Sequence, residues 1–200
     1  MIQLYSLTKN EARVIDFLIR NFKEKNSING LGRRLGLSPR GIYKILKKLE
    51  NMNVIKSEKI GNAIYYKVNL DDEVGAKLAE FVLVQNELNS YAKVQADDLK
   101  SLKEITQSCV LFGSVLKKGK ESNDIDILLI LEKDDFKKVH KSLSGIKELK
   151  PKKIHDVMMT KEDLINNLKK GDEVIADIMK TGKVLWGPET IVEAIKYGSS

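Results

Sequence analysis

Asp124 and Asp126 flank a single isoleucine and stand directly before five consecutive apolar residues, Ile127–Leu131, in a chain of 200 residues. An apolar run of that length reads as a strand covered on both faces. Side chains two residues apart on a strand project from the same face, so the two carboxylates converge. Like charges held together repel unless a cation neutralises them, and Mg2+, which prefers carboxylates shared with substrate phosphates, is suited to that task. The other reading, two aspartates capping an exposed strand end, is ordinary for one aspartate and poor for a pair abutting five apolar residues.

Upstream, the apolar segment Val110–Phe112 ends at Gly113-Ser114, and Val115–Lys118 has room for a helical turn. Amides at a strand-to-helix junction point free hydrogens at an anion, and glycine lets a phosphate approach the main chain closely. Nine residues separate Ser114 from Asp124. Glycine-serine, nine residues, then aspartate-hydrophobe-aspartate resembles the signature of the DNA polymerase beta nucleotidyltransferase superfamily, and most of all its minimal branch, over about residues 105–188. The resemblance implies that Gly113 and Ser114 hold the terminal phosphates of a nucleoside triphosphate, with ATP the expected one. It also implies that Asp124 and Asp126 bind Mg2+ and that a third carboxylate lies on a neighbouring strand. Lys153–Met159 reads as that strand, and Asp156 is its only acid, so Asp156 is expected to bind metal or take the acceptor's proton in a metal-assisted nucleotidyl transfer. His155 falls on the opposite face of a regular strand and is expected to pack or to be hydrogen-bonded rather than catalytic. Lys117, Lys118 and Lys120 suit either a triphosphate or a solvated loop, and Asn123 stands where the family usually has serine.

The elements around this site follow from caps and periodicity. Thr160 with Asp163 predicts a helix through about Lys170, closed by Gly171. Val174, Ile175, Ile178 and Met179 then supply another apolar face. Gly182–Pro188 resembles the closing turn and strand of the same minimal branch, with Trp186 in the core. Before the site, residues 71–106 open with three acids and contain no proline, which predicts one long linker helix. Its apolar residues, among them Val74, Leu78, Phe81, Val82, Leu88, Tyr91 and Leu99, predict packing against a second copy or a bridge between domains.

The first seventy residues have a different chemistry. They hold fourteen Lys/Arg against five Asp/Glu, whereas the remainder holds twenty-one against twenty-three. All five arginines lie in the first forty residues, so the excess of +7 points to a polyanion partner for one half only. Thr8 and Glu11 form a capping box for a helix over about 9–23, with Ala12, Ile15, Leu18, Ile19 and Phe22 inward. A shorter helix follows, with Asn29 as its cap, Leu31 and Leu35 inward and Gly36 as its stop. Gly30 and Gly32 weaken it unless they allow close helix packing. Ser38-Pro39 starts a third helix with Ile42, Ile45, Leu46 and Leu49 on one side and Arg40, Tyr43, Lys44 and Lys47 on the other. Val54–Ile60 and Ala63–Asn69 alternate as strands around Gly61-Asn62.

Three helices and a hairpin over residues 8–69 resemble the winged helix-turn-helix family, with Ser38–Met52 matching the recognition helix and Lys56–Lys67 the wing. The resemblance implies double-stranded DNA as partner, homodimers, and contacts from Arg40, Tyr43, Lys44, Lys47, Lys59 and Lys67. The same fold also serves as a protein-interaction module.

The expected class is therefore a two-domain α+β or α/β protein. A winged helix-turn-helix takes residues 1–70, a linker helix 71–106, and a nucleotidyltransferase fold with a small mixed sheet flanked by helices 107–200. The start, Met1–Tyr5, lacks a leader pattern and no apolar run suits a membrane span, so a cytoplasmic protein with no membrane partner is expected. The single cysteine, Cys109, lies in an apolar run and is expected to be buried, with no internal disulfide. The leading function is a DNA-binding protein whose second domain transfers a nucleoside monophosphate to a protein side chain or small molecule. Members of the minimal branch work beside a separate helical partner, including as antitoxins acting on a toxin, so a helical toxin-like partner is implied. The alternative is a transcription regulator whose second domain senses nucleotide without turnover.

Overall fold

A computed structural model describes residues 7–85 and 87–199; Met1–Tyr5, read above for a leader, lies outside the described residues. The chain divides into two compact units between Val82 and Leu83.

In the first unit, helix α1 (Lys9–Arg20) begins with the expected capping box. The Glu11 amide donates to Thr8 Oγ1 at 3.3 Å and the Thr8 amide to Glu11 Oε2 at 3.0 Å. Its buried stripe is Val14, Ile15, Leu18 and Ile19. The helix stops at Arg20, short of residue 23, because Asn21 turns its side-chain amide back onto the Phe17 carbonyl at 2.8 Å. Helix α2 (Ile28–Leu35) is capped by Ser27, not Asn29: Ser27 Oγ accepts from the Gly30 amide at 3.3 Å. Gly36 ends it at φ 66°, in the left-handed region that glycine occupies freely. Gly32 supports the close-packing reading, since a Cβ there would lie 3.0 Å from the Leu37 carbonyl and 3.6 Å from the Ile42 side chain.

Helix α3 (Pro39–Asn51) is capped by Ser38 and buries Ile42, Leu46 and Leu49. Lys48 reaches Glu11 at 2.9 and 3.0 Å, fastening α3 to the start of α1. Strands β1 (Ile55–Ile60) and β2 (Ala63–Val68) form an antiparallel hairpin closed by the Ile60–Ala63 pair. Gly61 has φ 59°, as the first central residue of a II′ turn requires. An isolated bridge from Ser27 to Tyr65 ties the α1–α2 connection to the hairpin. The order is the three helices and hairpin expected over residues 8–69.

The single long helix expected over 71–106 is instead three pieces. They are α4 (Glu73–Val84), α5 (Ser90–Asp98) and a 3-10 segment, Lys100–Ile105. The break falls just before Asn89, which adopts extended backbone at φ −64°, ψ 161° and caps α5 by accepting from the Ala92 amide at 2.8 Å. An Asn in this role competes with helix continuation. Of the apolar residues assigned to the linker, Phe81 is exposed while Val82 and Leu99 are buried.

The second unit is a four-stranded sheet in the order β5-β4-β3-β6. Its strands are β3 (Ser108–Phe112), β4 (Asp124–Ile130), β5 (Lys153–Met159) and β6 (Lys183–Trp186). β3 runs antiparallel to β4 and β6, and β4 parallel to β5, giving the expected mixed sheet. Helix α6 (Val115–Lys118) follows β3, and α7 (Phe136–Glu148) makes the crossover from β4 to β5. One face buries Leu111, Ile125, Ile127 and Leu129 against Val139 and Leu143 of α7 and Ala92, Leu99 and Leu102 before the sheet. After β5 come α8 (Lys161–Lys170), α9 (Glu173–Thr181) and, beyond β6, α10 (Pro188–Gly198). α8 begins with the Thr160–Asp163 capping box and ends at Gly171, φ 77°, as the sequence predicts. Buried Leu164, Leu168, Ile178, Ile191 and Ile195 make these helices a second apolar layer, in which a Cβ on Gly198 would strike Leu168. Cys109 and Trp186 are both buried, and burial pushes the Cys109 thiol far above its ordinary range. Among the described residues no helix is long and apolar enough to cross a membrane.

Candidate metal and phosphate site

The site begins at the turn where β3 hands over to α6. Gly113 has φ 77°, a conformation L side chains rarely adopt, and a Cβ placed on it would come within 3.0 Å of Asp126 Cγ. The glycine thus serves two ends: it permits the turn and leaves room for the carboxylate alongside. Ser114 already has helical backbone angles, and its carbonyl accepts from the Lys117 and Lys118 amides at 3.1 and 2.8 Å. The opening amides of a helical turn have no acceptor within it and are free to face an anion. The turn itself is held by Asn89, whose side-chain amide donates to the Val115 and Leu116 carbonyls at 2.9 and 3.2 Å.

β4 carries the acids. Phe112 pairs with Asp126 across the antiparallel ladder, which sets the carboxylates beside the Gly113 corner. Asp124 and Asp126 project from one face, and Ile125 and Ile127 between and after them are buried on the other. Their side chains keep 32% and 21% of their exposure, so the pair is open to a ligand. Burial first, and the adjoining Asp124 carboxylate second, hold the Asp126 carboxyl above the usual carboxylate range, with His155 partly offsetting both.

The neighbouring strand corrects the expected third acid. Parallel pairing sets His155 beside Asp126 and Asp156 beside Ile127. Since paired residues share a face, Asp156 lies on the side covered by α7, where it forms an ion pair with Lys147 of that helix. It does not reach Asp124 and Asp126. His155, expected to pack or to be hydrogen-bonded away from the acids, stands with them: its Nδ1 lies 3.6 Å from Asp124 Oδ2 and 3.6 Å from Asp126 Oδ1. One donor atom from each of Asp124, Asp126 and His155 lies within 4.8 Å of the others. The spacing of the pair was legible in the sequence. The choice between His155 and Asp156 was not, because it depends on which face of β5 the helix α7 covers.

Three lysines near β5 act as ties. Lys147 holds Asp156, Lys150 pairs with Asp98 and donates to Gln95 Oε1 at 2.9 Å, and Lys152 donates to the Ser122 carbonyl at 2.6 Å. Lys152 also sits 4.6 Å from the Tyr91 ring centre, so it braces the loop that delivers Asp124. Sequence reasoning passed over Asn89 and Lys152; the capping preference of asparagine was the available signal for the first. Lys117, Lys118 and Lys120 are exposed around the same loop.

In the first unit Arg40, Tyr43, Lys44 and Lys47 all lie on the exposed side of α3, opposite Ile42, Leu46 and Leu49. Lys47 also approaches Glu50 at 3.4 Å. Lys59 is exposed on the hairpin, and Lys67 stands 3.8 Å from Glu58. All of these pairs are open to water, where such contacts are weak and readily exchanged for a stronger anion.

Residues 97–190 match the family model described as Polymerase beta, Nucleotidyltransferase. The match spans β3 to β6 and contains Gly113, Ser114, Asp124, Asp126, His155 and Asp156. Among solved structures, the chain is similar to a zinc-responsive MarR family member, ZitR of Lactococcus lactis, at 20% identity, with 52% of this chain and 78% of that one covered and a TM-score of 0.33. A mutant of the same protein superposes with a TM-score of 0.34 at 17% identity, covering 74% of this chain and 79% of that one. Superpositions this loose do not place the chain in that family. No curated protein matches it.

Proposed function

We propose that this chain binds double-stranded DNA through its first unit and, in its second, transfers a nucleoside monophosphate from a nucleoside triphosphate to a protein or small-molecule acceptor. The observation that carries the transferase reading is the placement of Asp124 and Asp126 against the Gly113-Ser114 corner, within the residues matched to the nucleotidyltransferase model. Gly113 and Ser114 take the terminal phosphates through main-chain amides, and Asp124 and Asp126 hold the divalent ion, Mg2+ on the sequence reading. When bound, the ion neutralises the two carboxylates and the charge that builds on the phosphates. Asn89 and Lys152 keep the corner and the acids in register. The donor expected is ATP. A helical, toxin-like protein is one acceptor class that the sequence resemblance implies.

The DNA reading rests on the exposed face of α3, where cations and a hydrogen-bonding aromatic share one stripe. A homodimer would cover Phe81 and Val84, which α4 leaves exposed. Sedimentation as a monomer at high concentration removes that dimer.

A second reading, a regulator that senses nucleotide without turnover, is favoured by the position of Asp156, since the third acid expected of a working centre faces Lys147 instead. Incubation with α-phosphate-labelled nucleoside triphosphates, divalent metal and cell extract decides between the two. Label carried into this chain or into an acceptor, and lost in Asp124→Ala, supports the transferase. Nucleotide binding with no label transferred to any acceptor supports the sensor.

A further inference from the structure

We infer that His155 is a metal ligand, and that the site consequently favours a first-row transition dication such as Mn2+ or Co2+ over Mg2+. The inference rests on the metal-binding half of the reading above and alters only the third ligand and the identity of the ion.

The register of β5 supplies the first ground. Parallel pairing places His155 next to Asp126, on the face of the sheet opposite α7, and Nδ1 lies at the same 3.6 Å from one oxygen of each aspartate. Bonds of about 2.1 Å to an octahedral ion set neighbouring donors about 3.0 Å apart. The imidazole therefore needs to close by only a fraction of an ångström toward each carboxylate. All three donor atoms already lie within 4.8 Å of one another, a span that one ion bridges.

Donor chemistry supplies the second ground. Mg2+ takes oxygen ligands and retains water, whereas an imidazole nitrogen raises affinity along the series from Mn2+ toward Zn2+. Asp156, the acid that would complete an all-oxygen set, is turned to the α7 face and paired with Lys147. The nitrogen thus occupies the place a third carboxylate would take. The His155 side chain is 59% exposed, so positions around the ion stay open to water and phosphate oxygens. A simple ion pair between a protonated His155 and the aspartates has the same geometry but predicts that added metal gains nothing from the imidazole.

The experiment uses the full chain, freed of metal and held at neutral pH, titrated separately with Mn2+, Co2+ and Mg2+ by calorimetry, with the visible absorption of Co2+ followed in parallel. Wild type should bind Mn2+ and Co2+ at least roughly tenfold more tightly than Mg2+. His155→Ala should remove most of that margin and change the Co2+ spectrum while leaving Mg2+ affinity little altered. His155→Asp should restore tight binding with the order shifted toward Mg2+. Circular dichroism confirms that each variant is folded, as expected for an exposed side chain. If His155→Ala leaves both the Co2+ to Mg2+ ratio and the spectrum unchanged while Asp124→Ala abolishes binding, the inference is overturned and the metal site stands on its aspartates. If wild type binds none of the three ions even with a nucleoside triphosphate present, the metal site itself is overturned along with it.

Discussion

Asp126→Asn should make the metal-free protein more stable while destroying its response to metal. In wild type, oxygens of Asp124 and Asp126 face each other within 4.8 Å. Two unit charges at that distance repel by about 0.9 kcal/mol in bulk water and about 3.5 kcal/mol at an effective dielectric near 20. Both side chains are partly exposed and His155 offsets part of the repulsion, so a net gain of about 1 kcal/mol is expected on neutralising Asp126. For a unit of this size that corresponds to about 4 °C in Tm. Because the folded state holds the Asp126 proton more tightly than the unfolded chain does, this carboxyl favours folding at low pH. That contribution is lost as pH rises from about 4 through the raised folded value. The stability difference between variant and wild type should therefore be present at neutral pH and vanish below about pH 3.5. Thermal unfolding at low salt with chelator, then with added Mn2+ or Mg2+, reads both effects: metal should raise the Tm of wild type and leave the variant unmoved. An Asp126→Asn protein less stable than wild type without metal would refute the account of Asp126 as a repelled charge.

Gly113→Ala forces a side chain into φ 77° and onto Asp126, so a loss of more than about 1 kcal/mol and weakened triphosphate binding are expected in thermal melts and nucleotide titrations. Replacing Arg40 and Lys44 together by alanine should weaken duplex binding and flatten the log–log salt slope by about 1.8, for two phosphate contacts, in a fluorescence titration; an unchanged slope removes α3 from the interface. Burial pushes the Glu11 carboxyl upward, but the Thr8 amide and Lys48 outweigh it and hold it below the usual range. Glu11 therefore stabilises the first unit above its unfolded pKa of about 4.3, and that stability disappears as pH falls through the lower folded value. Glu11→Gln should flatten the acid limb of the unfolding curve, measured by circular dichroism between neutral pH and about pH 3.

Local rules account for much of the chain. The capping boxes at Thr8 and Thr160, the Ser38-Pro39 start, the stops at Gly36 and Gly171, and the Gly61 hairpin each depend on neighbours within four residues, and each is where the sequence places it. β5 also spans Lys153–Met159 as read, because alternation and an apolar run need no distant partner. The last helix, Pro188–Gly198, was legible but unread: Pro188 suits a first turn, and Ile191, Val192 and Ile195 follow at helical spacing.

The spacing of Asp124 and Asp126 determined by itself that two carboxylates share a face, since strand geometry leaves no alternative. Which side chain of β5 joins them was decided only in three dimensions. Residues 155 and 156 lie on opposite faces of any strand, so period alone names both candidates. The choice fell to the register with β4 and to α7, whose Lys147 draws Asp156 to the covered side and leaves His155 beside the acids. The break in the expected linker helix has the same character. Asn89 can sit inside a helix or cap one, and it caps because the carbonyls of Val115 and Leu116, remote in sequence, are there to receive its amide.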